Sequence, residues 1–506
     1  MMRWVAALAL GVVTFAWSGG ESHAKTVRVA VPPVIRNFAQ PFQRSGNPSV
    51  RFSVYDTLTR EDSTGRLGPS LATSWKLESP TLWRFELRPD VTFHNGVPLT
   101  ARVVADSLAV LTTTKDATHD LAPEVASIER LEVVDATTLL IHTRVPDLIL
   151  PRRLALIRIV EPVAWAAMGA TEYAKAPVGT GPYRVTSWGD GAGLTTLAAV
   201  PKSWRGSGEI TQLEIRDVPD ATARVQALLS GKVDLAFSIA PEDIATLKAA
   251  GQDAEIFPAP MVMGLTLRNM ADSHPALRDA RVRRALNHAV DKQAISREIM
   301  AGALPAARAA FTEGVTGYSE GLTAYDFDPD RARRLLAEAG YPDGFTITAG
   351  VVSGQVPSDS LLFQAVAQDL RRVGVTLELR SLTFPDFIER LNTARWQDFD
   401  AFSLLWGAAT YADASRNLDR HSCRSPAPYF CEPSVMPLLE AVSAAVDPGE
   451  REQRLKAAVA RTHELAPAIW LVQHASIVGR AANLRGLDLA FEGVYFERLS
   501  WTDNGQ

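Results

Sequence analysis

Cysteine is nearly missing from this chain: two among 506 residues, Cys423 and Cys431. That scarcity excludes a disulfide-dense small scaffold and a four-cysteine zinc ribbon. No cysteine follows the apolar N-terminal run, so a lipoprotein anchor is excluded there. A membrane-spanning helix needs ~20 apolar residues, and the longest such run, Trp4 to Trp17, reaches about 14. A surplus of positive charge is missing too. The formal net charge is −5, which leaves no electrostatic footprint for nucleic acid. Low-complexity runs, charge blocks and internal repeats are absent.

Catalytic signatures are missing as well. The GVVSG around Ser353 lacks the spacing of a nucleophile elbow, and His463-Glu464 runs into LAPA instead of a zinc-binding H-E-x-x-H. Gly189, Gly191 and Gly193 lack the third glycine and the capped helix of a dinucleotide loop, and read as a hairpin turn. GTGPYRVTSW, Gly179 to Trp188, holds no Lys-Ser/Thr pair and reads as a tight loop entering a strand, not a phosphate cradle. A secreted hydrolase remains as an alternative of another class. The expectation is no enzyme, no cofactor and no metal held by side chains alone; lone histidines such as His94 and His142 read as structural.

What is present begins with an export signal. Arg3, the apolar run, and Ser22-His23-Ala24 before Lys25 have the order of a cleaved leader, with the cut after Ala24. A freely soluble periplasmic chain of about 480 residues is expected, too long for one hydrophobic core. With 46% hydrophobic and 22% charged residues the composition is that of a globular protein.

Strand and helix signals alternate along both halves. Thr26–Val31 reads as the first strand. Asp220 caps a helix to about Ser230 between strands at 213–218 and 232–237, a β-α-β unit with parallel strands. Met261–Asn269 reads as an apolar strand. In LRDARVRRALNHAVDKQAI, Val282, Leu286 and Ala289 share one helical face, with the arginines opposite. Asp328, Pro329 and Gly340 frame another helix. Strands at 345–352 and 375–379 and helices at 361–373 and 384–395 follow. The fold class is α/β.

One segment is most telling. In WRFELRPDVTFHNGVPLTARVV, Trp83 to Val104, Trp83, Phe85 and Leu87 alternate with polar residues as in a half-buried strand. Asn95-Gly96 supplies a positive-φ turn pair, and Thr100 stands as N-cap of the run ARVVADSLAVL. As a string it closely resembles the "LRpgVkFHnGvplTAddV" stretch of bacterial extracellular solute-binding proteins of the peptide/nickel class, the ligand-capturing components of ABC importers. GTGPYR and DARVRRALNHAVDK are similar to two further elements of that family.

The resemblance implies a two-lobed, hinge-closing periplasmic binding protein of class II type. Lobe one would be 25–262 plus 480–506, with an extra subdomain inserted at 46–178, and lobe two 263–479. It implies a small-molecule or peptide ligand, membrane permease subunits as partners, and a monomer. In FSLLWGAATYADASR, Phe402 to Arg416, a Trp at position 406 lines the family's ligand pocket. Peptide binders place an Asp three residues later, to pair with the peptide's ammonium; here that residue is Ala409. A buried ammonium without its carboxylate costs several kcal/mol, so Asp413 is the candidate substitute, with Tyr411 and Arg416 beside it.

LALIR ends at Arg158, and the nickel-chelate binders of the family carry an Arg in a similar run that grips a ligand carboxylate. Beside Arg152 and Arg153, a surface or ion-pair role for Arg158 is the alternative. Two ligands stay open: a peptide-like solute, or a carboxylate-rich metal chelate held by Arg158 and stacked on Trp406, with Asp413 and His421 as auxiliary contacts. In an oxidising compartment, Cys423 and Cys431, with seven residues between them, read as a loop-closing disulfide. A metal pair with His421 is the alternative, and it matches no zinc template.

Overall fold

The two longest strands, Asp253–Leu267 and Ala468–Arg480, run antiparallel through the middle of a ten-stranded sheet. They are seen in a computed structural model that describes residues 25–33, 38–43, 46–113, 119–189, 193–206, 208–407, 411–491 and 493–502. The expected leader, and with it the cut after Ala24, lies outside the described residues, as do Ala408 and Ala409. Beyond Asp253–Leu267 lie Ala401–Gly407, Phe345–Val352 and Val375–Leu382, on the side expected to form lobe two. Beyond Ala468–Arg480 lie Leu235–Phe237, Thr26–Val31, Gln212–Asp217, Leu194–Ala199 and Tyr183–Ser187, on the side expected to form lobe one. The molecule is a two-lobed α/β protein whose lobes share the central strand pair.

Lobe one carries a second, four-stranded antiparallel sheet in the order Ala72–Ser79, Leu82–Leu87, Thr138–Thr143, Ile128–Val133. Its helix side packs around Phe85, Leu108 and Ile141. Lobe two holds an aromatic core of Trp396, Phe402, Trp406, Tyr429 and Trp470 on one sheet face. A further core, from Val225 and Leu247 to Leu286 and Val366, runs under both lobes on the other.

Local signals in the sequence map directly onto these elements. Trp83, Phe85 and Leu87 are the buried positions of Leu82–Leu87, each buried side chain of this size contributing about 1.5–3 kcal/mol. Thr100 Oγ1 accepts from Val103 N at 3.3 Å at the head of helix Ala101–Thr113. Asp220 and Asp328 cap their helices through Ala223 N (2.7 Å) and Arg331 N (2.8 Å). The expected β-α-β unit is present, with one refinement: Gln212–Asp217 and Leu235–Phe237 flank Thr26–Val31, both parallel to it.

Three local expectations are corrected. Of the pair Asn95-Gly96 only Gly96 takes positive φ, 86°; Asn95 instead donates from Nδ2 to Glu161 Oε2 at 3.1 Å. The strand expected from Met261 starts at Asp253. Pro258 and Pro260 look like breakers, yet they sit where the ladder is irregular and needs no donor. The arginines do not all face solvent: Arg283 is fully buried. Its guanidinium donates to Glu432 Oε1 (2.7 Å), Leu465 O (2.8 Å) and Leu277 O (2.8 Å), which meets the requirement that a buried charge be paired.

Candidate ligand cleft between the lobes

The central strand pair loses register at one place. Pro258 faces Ala475 and Val262 faces Gln473, so Ala259, Pro260 and Met261 stand opposite His474 alone. Gly407 crosses this bulge at φ 122°, where a Cβ would lie 2.4 Å from Pro260 O. The lobes meet in front of this break.

On the lobe-two side, Trp406 is a core residue. Its indole Nε1 donates to Thr266 Oγ1 at 2.8 Å, and its ring packs on His421 and edge-on to Trp470. His421 is held by Asn417 O (2.7 Å) and by the Tyr429 hydroxyl (3.0 Å); burial pushes its pKa down to about 3, so the ring is neutral. Cys423 and Cys431, close by in sequence, form a disulfide. Asp413 caps helix Ala414–Arg420 through Ser415 N (3.0 Å) and takes both Nη atoms of Arg451 at 2.8 and 3.0 Å. Burial alone would raise this carboxyl; the Arg451 and Ser415 hydrogen bonds outweigh it and hold the pKa below the usual range. With both oxygens engaged, Asp413 is not open to receive an ammonium in this state, and His421 is likewise enclosed.

Tyr411 and Arg416 reach across instead. Tyr411, 4% exposed, packs into the lobe-one core. Arg416 Nη1 meets Glu124 Oε1 at 2.5 Å, and Arg416 stacks on the Tyr411 ring. Beside them, Glu61 of lobe one accepts Ala412 N–H at 3.0 and 3.1 Å and Arg152 Nη1 at 2.6 Å. Gly65, in the adjoining turn, lies so close that a Cβ would be 2.4 Å from Ala412 Cβ. These contacts tie the 411–416 segment to the 61–65 turn and to Glu124. Glu61, Glu124 and Ala412 went unrecognised in the sequence; the turn residues Asp62 to Gly65 after Arg60-Glu61 are the one local signal there.

Arg158 is buried in lobe one, where Nη1 donates to Pro41 O at 3.1 Å. It lines a cavity of about 40 Å³ together with Phe52, Tyr55, Arg60, Ser70 and Phe491. Asp56 on the same wall is fixed by Thr180 Oγ1 and Trp204 Nε1, both at 2.9 Å, and by Arg205. Ala490 and Phe491 also border a wider cavity of about 290 Å³, which reaches Phe257, Pro258 and Met261 at the register break. Of the residues expected at the site, Tyr411 and Arg416 come together at the lobe contact, Arg158 lines the lobe-one cavity, and Trp406 and Asp413 lie within lobe two.

Comparison with known proteins agrees with this architecture. The profile of the bacterial extracellular solute-binding proteins, family 5 Middle, matches residues 66–426. The glutathione-binding protein GsiB of Shigella flexneri serotype 5b is 28% identical over 398 residues, covering 74% of this chain and 73% of its own length. A probable di/tripeptide-binding protein 5 of Pseudomonas aeruginosa is 26% identical over 443 residues, covering 80% and 81%. Among solved structures, NikA from Brucella suis in complex with Fe(III)-EDTA superposes with TM-score 0.81 at 24% identity, covering 94% of this chain and all of the other. A dipeptide-binding protein from Pseudoalteromonas sp. SM9913 in complex with Met-Leu gives TM-score 0.77 at 20% identity, with the same coverage.

Proposed function

The chain belongs to the bacterial extracellular solute-binding proteins of family 5, and on that footing we propose that it is the substrate-binding component of an ABC importer. It captures a peptide or peptide-like small solute as its lobes close and presents the closed form to the membrane permease subunits. It works in the periplasm as a monomer after removal of the leader at Ala24. The observation that carries this reading is the pair of lobes sharing two long strands and meeting through Glu61 with Ala412 and Glu124 with Arg416. Such contacts bias an open–closed equilibrium, and a ligand bound only in the closed form completes the shift. The register break at Ala259–Met261 and His474 is the hinge in this reading, which moves the return crossing from 480 to 474. Relatives named for glutathione and for di- or tripeptides favour a peptide-like solute.

An acid-rich metal chelate is the second reading, favoured by Arg158 on the cavity wall. Among the described residues no group of three His, Cys, Asp or Glu side chains is placed to hold a bare metal ion, so the chelator would supply the coordination. Small-angle scattering with glutathione, Ala-Ala or Fe(III)-EDTA tests lobe closure: a bound probe compacts the protein, and binding without compaction counts against it. If Arg158 grips the ligand's carboxylate, Arg158→Ala weakens that probe about tenfold, the effect of losing a charged hydrogen bond. An affinity kept within about twofold removes Arg158 from the site.

A further inference from the structure

The small cavity beside Arg158 holds two polar groups that the fold leaves without partners. Ser70 is 1% exposed, lies on the cavity wall, and its Oγ has no hydrogen-bond partner. Arg60 stacks the face of its guanidinium on Phe52 and Tyr495, at 5.7 and 5.2 Å from the ring centroids. Stacking satisfies the face and leaves the edge, where donors need acceptors. Nη1 on that edge is buried and has none, and among the described residues no carboxylate forms an ion pair with Arg60.

The acids nearby are engaged elsewhere. Asp56 and Glu497 both bind Arg205, and Glu61 binds Arg152 and the Ala412 N–H. The cavity wall itself carries two guanidiniums, Arg60 and Arg158, and two carboxylates, Asp56 and Glu61, and both carboxylates are engaged by donors other than Arg60. Burial, and after it repulsion from Arg205, pulls the Arg60 pKa below the ordinary guanidinium value, against the pull of Asp56 and Glu497 at longer range. A buried donor left unpaired costs about 1–3 kcal/mol, a cost that a native fold retains where something else supplies the acceptor.

We propose that this cavity receives an acid group of the transported solute, carboxylate or similar, with the Arg60 edge and the Ser70 hydroxyl as its donors alongside Arg158. The cavity's 40 Å³ is room for about three waters, the scale of one carboxylate. The wider cavity, which shares Ala490 and Phe491 with it, takes the body of the solute. On the opposite side Asp413 is bound to Arg451, so the solute is anchored by its acid end and not by an ammonium. The assignment rests on the solute-binding reading and narrows it to small acids.

The test is titration calorimetry on the full mature chain with glutathione, Ala-Ala, glutarate and citrate, each beside its neutral amide counterpart. At least one acid binds while its amide does not. Arg60→Gln then weakens that acid about tenfold, and Ser70→Ala, which removes only a hydroxyl, weakens it about threefold. The Ser70 variant keeps the test valid should Arg60→Gln fail to fold. Four results overturn the assignment: no acid bound by the wild type, an amide bound as tightly as its acid, an Arg60→Gln affinity within about twofold of wild type, or, where that variant does not fold, an unchanged Ser70→Ala affinity. Acid binding that depends on Arg60 but leaves the scattering curve unchanged keeps the acid pocket and overturns lobe closure instead.

Discussion

The two sides of the lobe contact differ in how their charged groups are met. On the lobe-two wall Asp413 is bound by Arg451 and Ser415, and the Trp406 indole donates to Thr266. On the lobe-one wall the Arg60 edge and the Ser70 hydroxyl face a cavity with no partner. A side whose charges are paired supplies shape and closure; a side whose cation edge faces a cavity unpaired supplies chemical selection. The residues that family resemblance makes prominent are concentrated on the first wall, and the unmet chemistry is on the second.

The largest expected effect comes from breaking the self-sufficient wall. Asp413→Ala strands the nearly buried Arg451, and losing one partner of a buried pair costs about 3–5 kcal/mol. Chemical denaturation reads that loss directly. A variant of unchanged stability that loses only ligand affinity would make Asp413 a ligand group and erase the contrast.

A second effect on the same wall depends on pH and is small near neutrality. The folded-state pKa of His421 is depressed to about 3 against ~6.5 for an unfolded chain. Between these values the unfolded state binds the extra proton. The stability from neutral His421 is therefore fully present above ~6.5 and is lost as pH falls toward 3, by up to about 1.4 kcal/mol per pH unit. His421→Gln flattens that slope in pH-dependent unfolding; an unchanged slope assigns the acid sensitivity to other groups.

The smallest effect probes the contact between the walls. Arg416 is 39% exposed, so its pair with Glu124 is discounted for solvent to about 0.5–1 kcal/mol. Glu124 also retains Arg153 at 3.8 Å. Arg416→Gln should weaken ligand binding about two- to fivefold through the closed state, with little change in unfolding. A change in stability larger than the change in affinity would make this pair a structural tie instead of a closure contact.

Caps, alternating strands and framed helices were legible in the sequence because each is written within a few residues, as Thr100, Asp220 and Asp328 illustrate. What depends on distant partners was not. Glu61 meets Ala412 across 351 positions, and Arg283 is drawn inward by Glu432 and Leu465, so local patterning alone leaves it on the polar face. Pro258 and Pro260 hide a long strand because the donors they lack are not needed at the bulge. At the site, Arg158 was singled out by a five-residue motif, whereas Arg60 and Ser70 become visible only when a cavity shows which donors lack acceptors.

The most direct measurement is mass spectrometry, with elemental analysis, of the solute released on denaturing protein purified from the periplasm. An equimolar small acid, free or as a metal chelate, is the expected result. An equimolar solute without an acid group would contradict the assignment of the lobe-one wall as the selecting surface.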